Sequence, residues 1–292
     1  MRISRPALLL LLCVLIPASL SAQQSTSTPA ATSTSDPQAV AAAQGALRAL
    51  AGSANVNDVT LTGTANRIAG SDNESGTVKL EAMAGGYSKV TLGLPSGPYM
   101  EIRNPSGTPL PSGTSAGVPS PATGPQPVGA WSGADGVLHG MAVHNLLTDA
   151  TWFFPALTLG RLALSPAFVL SYIGQETYEG QNVLHVSACL GLSPGSNNPP
   201  YIVSLVQHLS RMDLYLDPAT LLPVALAFDT HLDDNFSVDI AIEIRFSNYQ
   251  TLNGVEVPYR VRKYQNNGLV LDLQLSNATL NSGLAVTAFE IQ

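Results

Sequence analysis

The chain has 292 residues, 45% hydrophobic and only 11% charged, with a formal net charge of −7. That length supplies one large core or two small ones, and the acidic balance argues against nucleic acid and anionic membrane surfaces as electrostatic partners. With Cys13 and Cys189 the only cysteines, cross-linking is not what holds the fold together.

Arg2 and Arg5 precede an apolar stretch from Ala7 to Ile16, a break at Pro17 and small residues at Ser19, Ser21 and Ala22. This is the layout of a secretory signal peptide over residues 1–22, with cleavage expected after Ala22. The apolar run is roughly half of the ~20 residues a membrane-spanning helix needs, so a periplasmic or cell-envelope location is expected, with no integral span after cleavage. Cys13 lies inside the apolar run behind Leu12, which disfavours a lipid-modified cysteine. Residues 1–22 carry two arginines and no acid, so cleavage leaves eleven basic residues against twenty acidic ones, a formal charge of −9, and Cys189 alone. Residues 23–36 are nearly all Gln, Ser, Thr, Pro and Ala, a composition that forms a disordered spacer rather than a core. A single domain is expected over 37–292.

Asp36-Pro37 is a helix start, and Ala39 to Ala51 is rich in helix formers, with Val40, Ala43, Leu47 and Leu50 on one face and Gly52 as the stop. The period then changes to two. Val59 and Leu61 alternate with Thr60 and Thr62, and Val78, Leu80 and Ala82 alternate with Thr77, Lys79 and Glu81. Turn residues at 70–73 and 85–86 predict consecutive hairpins, continued by Tyr87–Leu92 and Tyr99–Arg103. From Asn104 to Gly129 prolines and glycines predict a long loop or insert. The dense apolar stretch from Leu138 to Leu164 predicts one or two short helices broken near Pro155. Strands are expected again at 168–175, 181–189, 212–217, 224–229, 238–247, 257–265, 269–276 and 287–291. In the clearest, Val238, Ile240, Ile242, Ile244 and Phe246 face one way and Asp239, Glu243 and Arg245 the other. The expected fold is mainly β (α+β): a strongly curved antiparallel sheet with helices laid on its apolar side.

Few residues suggest chemistry. Gly113-Thr114-Ser115-Ala116-Gly117 matches a nucleophile-elbow spacing but lacks the strand before and helix after that the motif requires, so hydrolysis rests on Ser115 alone. Asp229, His231, Asp233 and Asp234 gather oxygen and nitrogen ligands in one hairpin without EF-hand spacing, which reads as a solvated turn. His139 and His144 do not form a zinc motif; His185, His208 and Cys189 stand isolated. No catalytic residue, metal ligand or cofactor is expected.

Three phrases carry a family resemblance: Tyr178-Glu179-Gly180-Gln181-Asn182-Val183; Leu214 to Val224 through Asp217-Pro218-Ala219-Thr220; and Phe246 to Gln250 with Asn253-Gly254-Val255 and Pro258 to Val261. Together with the element order they resemble the LolA/LolB-like superfamily of exported lipoprotein carriers, mainly over Tyr172–Gln292; the first half matches by layout. The resemblance implies an open half-barrel with a short helical lid on its apolar face, sheltering a lipid, a lipoprotein acyl chain or another hydrophobic ligand. The groove is expected to be lined by Trp152, Phe153, Phe154 and Leu157 of the lid and by Ile240, Ile242, Ile244, Leu271 and Leu273 of the sheet. The insert at 104–129 departs from the simple carriers. An alternative reading of the same fold is an envelope-stress sensor or interaction module with an envelope protein partner.

Overall fold

The computed structural model describes residues 34–107, 126–194 and 198–291. The expected signal peptide, residues 23–33 of the spacer and the Ser115 segment lie outside the described residues.

Helix α1 (Pro37–Ala51) starts where Asp36 accepts a hydrogen bond from the Gln38 backbone N–H at 2.7 Å and Pro37 takes the first helical position. It ends at Gly52, whose φ of 56° suits glycine and whose N–H donates to the Arg48 carbonyl. Its fully buried residues are Ala39, Ala43, Ala46 and Leu50, with Val40 and Leu47 on the flank, so a stripe of small side chains lets the helix lie close to the sheet.

Antiparallel strands follow as predicted: β1 (Asp58–Ala69), β2 (Asp72–Met83), β3 (Tyr87–Leu94) and β4 (Gly97–Gly107). After the undescribed residues come β5 (Gln126–Ser132) and the short β6 (Leu138–Gly140). The expected insert is therefore shorter than its composition implied, because both its ends pair with each other as strands. A second correction falls on 138–164. Only Pro155–Leu164 forms an α-helix (α2), preceded by β6, a 3-10 turn at Val143–Leu146 and a tight turn holding Trp152, Phe153 and Phe154. Pro155 opens the helix rather than breaking it, as proline does at a first helical position.

The second half contributes β7 (Phe168–Tyr178), β8 (Gln181–Leu190), helix α3 (Pro200–Leu209), β9 (Met212–Leu216), β10 (Pro223–Leu232), β11 (Asn235–Leu252), β12 (Val255–Gln265) and β13 (Gly268–Leu280). Asp217 accepts from the N–H groups of Ala219 and Thr220 at 2.9 and 2.8 Å, fixing the turn between β9 and β10. Asn253 and Gly254, at φ 51° and 80°, make the tight β11–β12 turn. The strand expected at 287–291 is instead a 3-10 turn at Val286–Phe289. Phe289 is fully buried against Tyr87, and Asn104 Nδ2 donates to its carbonyl, so tertiary anchoring overrides the local alternation.

All thirteen strands form one antiparallel sheet, ordered β6-β5-β4-β3-β2-β1-β13-β12-β11-β10-β9-β8-β7 and open at β6 and β7. Pairing of β1 with β13 joins the halves through a bulge at Thr62/Gly63. A Cβ on Gly63 would lie 2.1 Å from the Gln274 carbonyl oxygen, so only glycine permits this close approach. The sheet is strongly bent. Six strands separate β4 from β10 in the ladder, yet Asn145 joins them: its carbonyl accepts from Arg103 of β4, while its side chain exchanges 2.8 Å hydrogen bonds with the His231 backbone of β10. Helices α1 and α2 pack together within the curve, and α1 also meets β7, β8 and β12. The fold is mainly β, an open half-barrel whose concave face and helices share one core.

Candidate hydrophobic ligand site

The lid is held by a buried carboxylate. Asp149, 1% exposed at its side chain, accepts hydrogen bonds from the hydroxyls of Thr151 and Thr158 and lies 3.7 Å from the Arg161 guanidinium. Arg161 in turn sits 5.2 Å over the Phe168 ring of β7. This clasp ties the turn at 148–154 to the first two turns of α2. It presses Trp152, Phe153 and Phe154 into the concavity, where each is buried, Trp152 edge-on to Phe153 at 5.4 Å.

Two cavities border the helices and the sheet. One, of ≈ 450 Å³, has walls from Val90 and Leu92 of β3, Tyr99 of β4, Leu271 of β13 and Trp152. Charged residues are interleaved with these walls: Arg67 of β1 and Lys263 of β12 both pair with Leu271, and Glu101 of β4 pairs with Val90. A larger cavity of ≈ 780 Å³ runs between the last turn of α1 and α2, walled by Leu47, Ala51, Val56, Ala156, Leu157 and Leu164.

Of the nine residues the sequence nominates, Trp152 and Leu271 line the first cavity and Leu157 the second. Phe153, Phe154, Ile242, Ile244 and Leu273 are in the close-packed core and line neither cavity, and Ile240 is half-buried at its edge. The apolar row of β11 also outruns its cover: Val238 at its far end is 42% exposed.

These charged lining residues were not foreseen, although the signal was present. Lys263 continues the inward row Val257, Val261 of β12, and Arg67 continues the inward row Leu61, Ala65 of β1: a charge in phase with an apolar stripe. The Lys263 ammonium lies 5.0 Å over the Trp152 ring and Arg67 lies 5.7 Å over Tyr99. Burial pulls the Lys263 amine below the ordinary lysine range, Glu101 pulling it back up and Arg103 adding to the drop. Burial likewise pushes the Tyr99 hydroxyl up to about 12, Glu101 adding and Arg67 opposing. Neither Arg67 nor Lys263 forms an ion pair among the described residues. The Trp152 indole N–H is buried with no hydrogen-bond partner there either, a donor whose satisfaction is worth more than a typical exposed hydrogen bond.

Other residues singled out from the sequence fall elsewhere. Asp233 accepts from the Ala142 backbone N–H at 3.3 Å, so the 229–234 hairpin does not converge on one point. His185 and His208 are not isolated. His185 places Nδ1 2.9 Å from Glu176 and Nε2 3.0 Å from Asp213, and His208 meets Asp239. Cys189 is a half-buried free thiol whose pKa burial raises. No helix among the described residues is long and apolar enough to cross a membrane.

No protein-family model matches the sequence, and no curated protein matches it. Solved structures do match over most of the chain. An outer membrane lipoprotein-sorting protein domain from Vibrio parahaemolyticus is 13% identical, with 86% of this chain and 96% of that one covered and a TM-score of 0.48. A DUF1329 family protein from Desulfovibrio piger is 14% identical, with coverage of 86% and 97% and a TM-score of 0.48. A LolA superfamily protein from Nitrosomonas europaea is 12% identical, with coverage of 87% and 97% and a TM-score of 0.47.

Proposed function

We propose that this is a non-enzymatic, exported binding protein that takes an acyl chain, of a lipid or a lipoprotein, or another hydrophobic ligand, under the lid of its half-barrel. The observation that carries the reading is the first cavity. Its lining mixes apolar side chains with the Lys263 ammonium and the Arg67 guanidinium, neither of which forms an ion pair among the described residues. A concave space that combines apolar walls with a few fixed polar groups is the usual form of a small-molecule site. Apolar burial gains about 0.8 kcal/mol per CH₂, and the two cations orient an acidic head group. Entry of a long chain under the aromatic turn and α2 requires the clasp at Asp149 to yield.

Titrating a delipidated Trp131→Phe variant with palmitate while recording Trp152 emission tests this. Saturable binding is expected, weakened roughly tenfold by Lys263→Met, as loss of one charge-assisted hydrogen bond implies. Hexadecanol, which lacks the carboxylate, is expected to bind both proteins alike. Emission that never saturates, with either ligand, contradicts the proposal.

A further inference from the structure

Three of the chain's five histidines converge at the end of the β10–β11 hairpin, away from both cavities. His231 of β10 and Asp239 of β11 are register partners, so they stand side by side on the polar face of the sheet. His208, in the last turn of α3, closes over them. Both imidazoles aim Nε2 at the same carboxylate atom: Asp239 Oδ1 is 3.1 Å from His231 Nε2 and 3.0 Å from His208 Nε2. The three ligand atoms all lie within 4.8 Å of one another.

Two further facts distinguish this cluster from a solvated surface group. The His231 side chain is only 1% exposed, and its Nδ1 has no hydrogen-bond partner among the described residues. Its ring is also enclosed by His208 and His144, with centroids at 5.7 and 5.8 Å.

We propose that His208, His231 and Asp239 form a binding site for a divalent transition-metal ion, zinc best fitting two imidazoles and a carboxylate. A tetrahedral zinc at about 2.0–2.1 Å from each ligand sets neighbouring ligand atoms roughly 3.3 Å apart, close to the separations from Asp239 Oδ1. The fourth position faces water, since His208 and Asp239 are 45% and 48% exposed at their side chains. His144 Nε2 is already engaged with the Leu232 carbonyl at 3.0 Å, which leaves it outside the ligand set. The ion ties the end of α3 to the β10–β11 hairpin, two elements that the ladder does not join directly.

Isothermal titration of zinc chloride into the untagged, chelator-stripped full chain tests the assignment. One saturable equivalent is expected. His208→Ala and Asp239→Asn, both at exposed positions that leave the core intact, are each expected to weaken it by about tenfold or more, whereas His139→Ala leaves it unchanged. Failure to saturate at one equivalent, or wild-type affinity in the His208→Ala and Asp239→Asn variants, overturns it.

Discussion

Asp58 shows how much one carboxylate contributes at the seam between the two halves of the chain. It is 4% exposed and accepts from the Ser282 N–H and hydroxyl and from the Gly283 N–H at 2.7, 2.9 and 3.0 Å. Burial pushes its pKa up, but these hydrogen bonds win and hold it below the ordinary aspartate value. Asp58→Ala should therefore cost about 1–3 kcal/mol in urea unfolding at neutral pH. A carboxyl whose folded pKa is depressed stabilises fully above its unfolded value of about 3.9 and loses that contribution as the pH falls through the folded value. The gap between wild type and Asp58→Ala should thus close progressively in titrations below about pH 4. At this scale the sequence was only partly legible. Apolar wall positions such as Trp152 and Leu271 stand out by composition. Arg67 and Lys263 require the strand phase to be read first and the charge noticed as an exception to it.

Among the elements, strands were the most readable, because alternation on a half-buried sheet leaves a direct imprint, as in Ile242, Ile244 and Phe246 of β11. Hairpins followed from Asn253-Gly254 and from the Asp217-Pro218 turn. Helix α3 left no such imprint: Tyr201-Ile202-Val203 and Leu205-Val206 are apolar, Ile202, Val203 and Val206 β-branched, so a short run of them fits helix and strand alike. The lid was half legible. Its apolar density was plain, but the turn that presents Trp152, Phe153 and Phe154 depends on Asp149 bonding Thr151 and Thr158, a contact that no periodicity announces. Replacing Asp149 with alanine should cost about 1.5–3 kcal/mol in thermal or urea unfolding. Under the proposed function it should also speed palmitate association in stopped-flow fluorescence, since an entering chain would have to open the clasp. Slower association in Asp149→Ala would show that the clasp shapes the site instead of closing it.

For the whole molecule, the decisive property is that a thirteen-stranded sheet bends without closing. A sheet that packed flat would bring β4 and β10 nowhere near one Asn145, and one that closed would leave no rim for a lid. The open curve places α1, α2 and the aromatic turn inside the concavity and leaves cavities of ≈ 450 and ≈ 780 Å³ beside them. Curvature of this kind is set by bulges such as that at Gly63 and by helices wedged under distant strands; a one-sided apolar pattern called for a curved sheet under helices, while the position of the bulge left no mark in the alternation. Native mass spectrometry of the full-length chain, purified without detergent from cells that export it, tests the central claim most directly. The account predicts a species heavier than the bare chain by one acyl-bearing ligand, released on organic extraction and restored by added fatty acid. A bare mass both before and after incubation with fatty acid would contradict it.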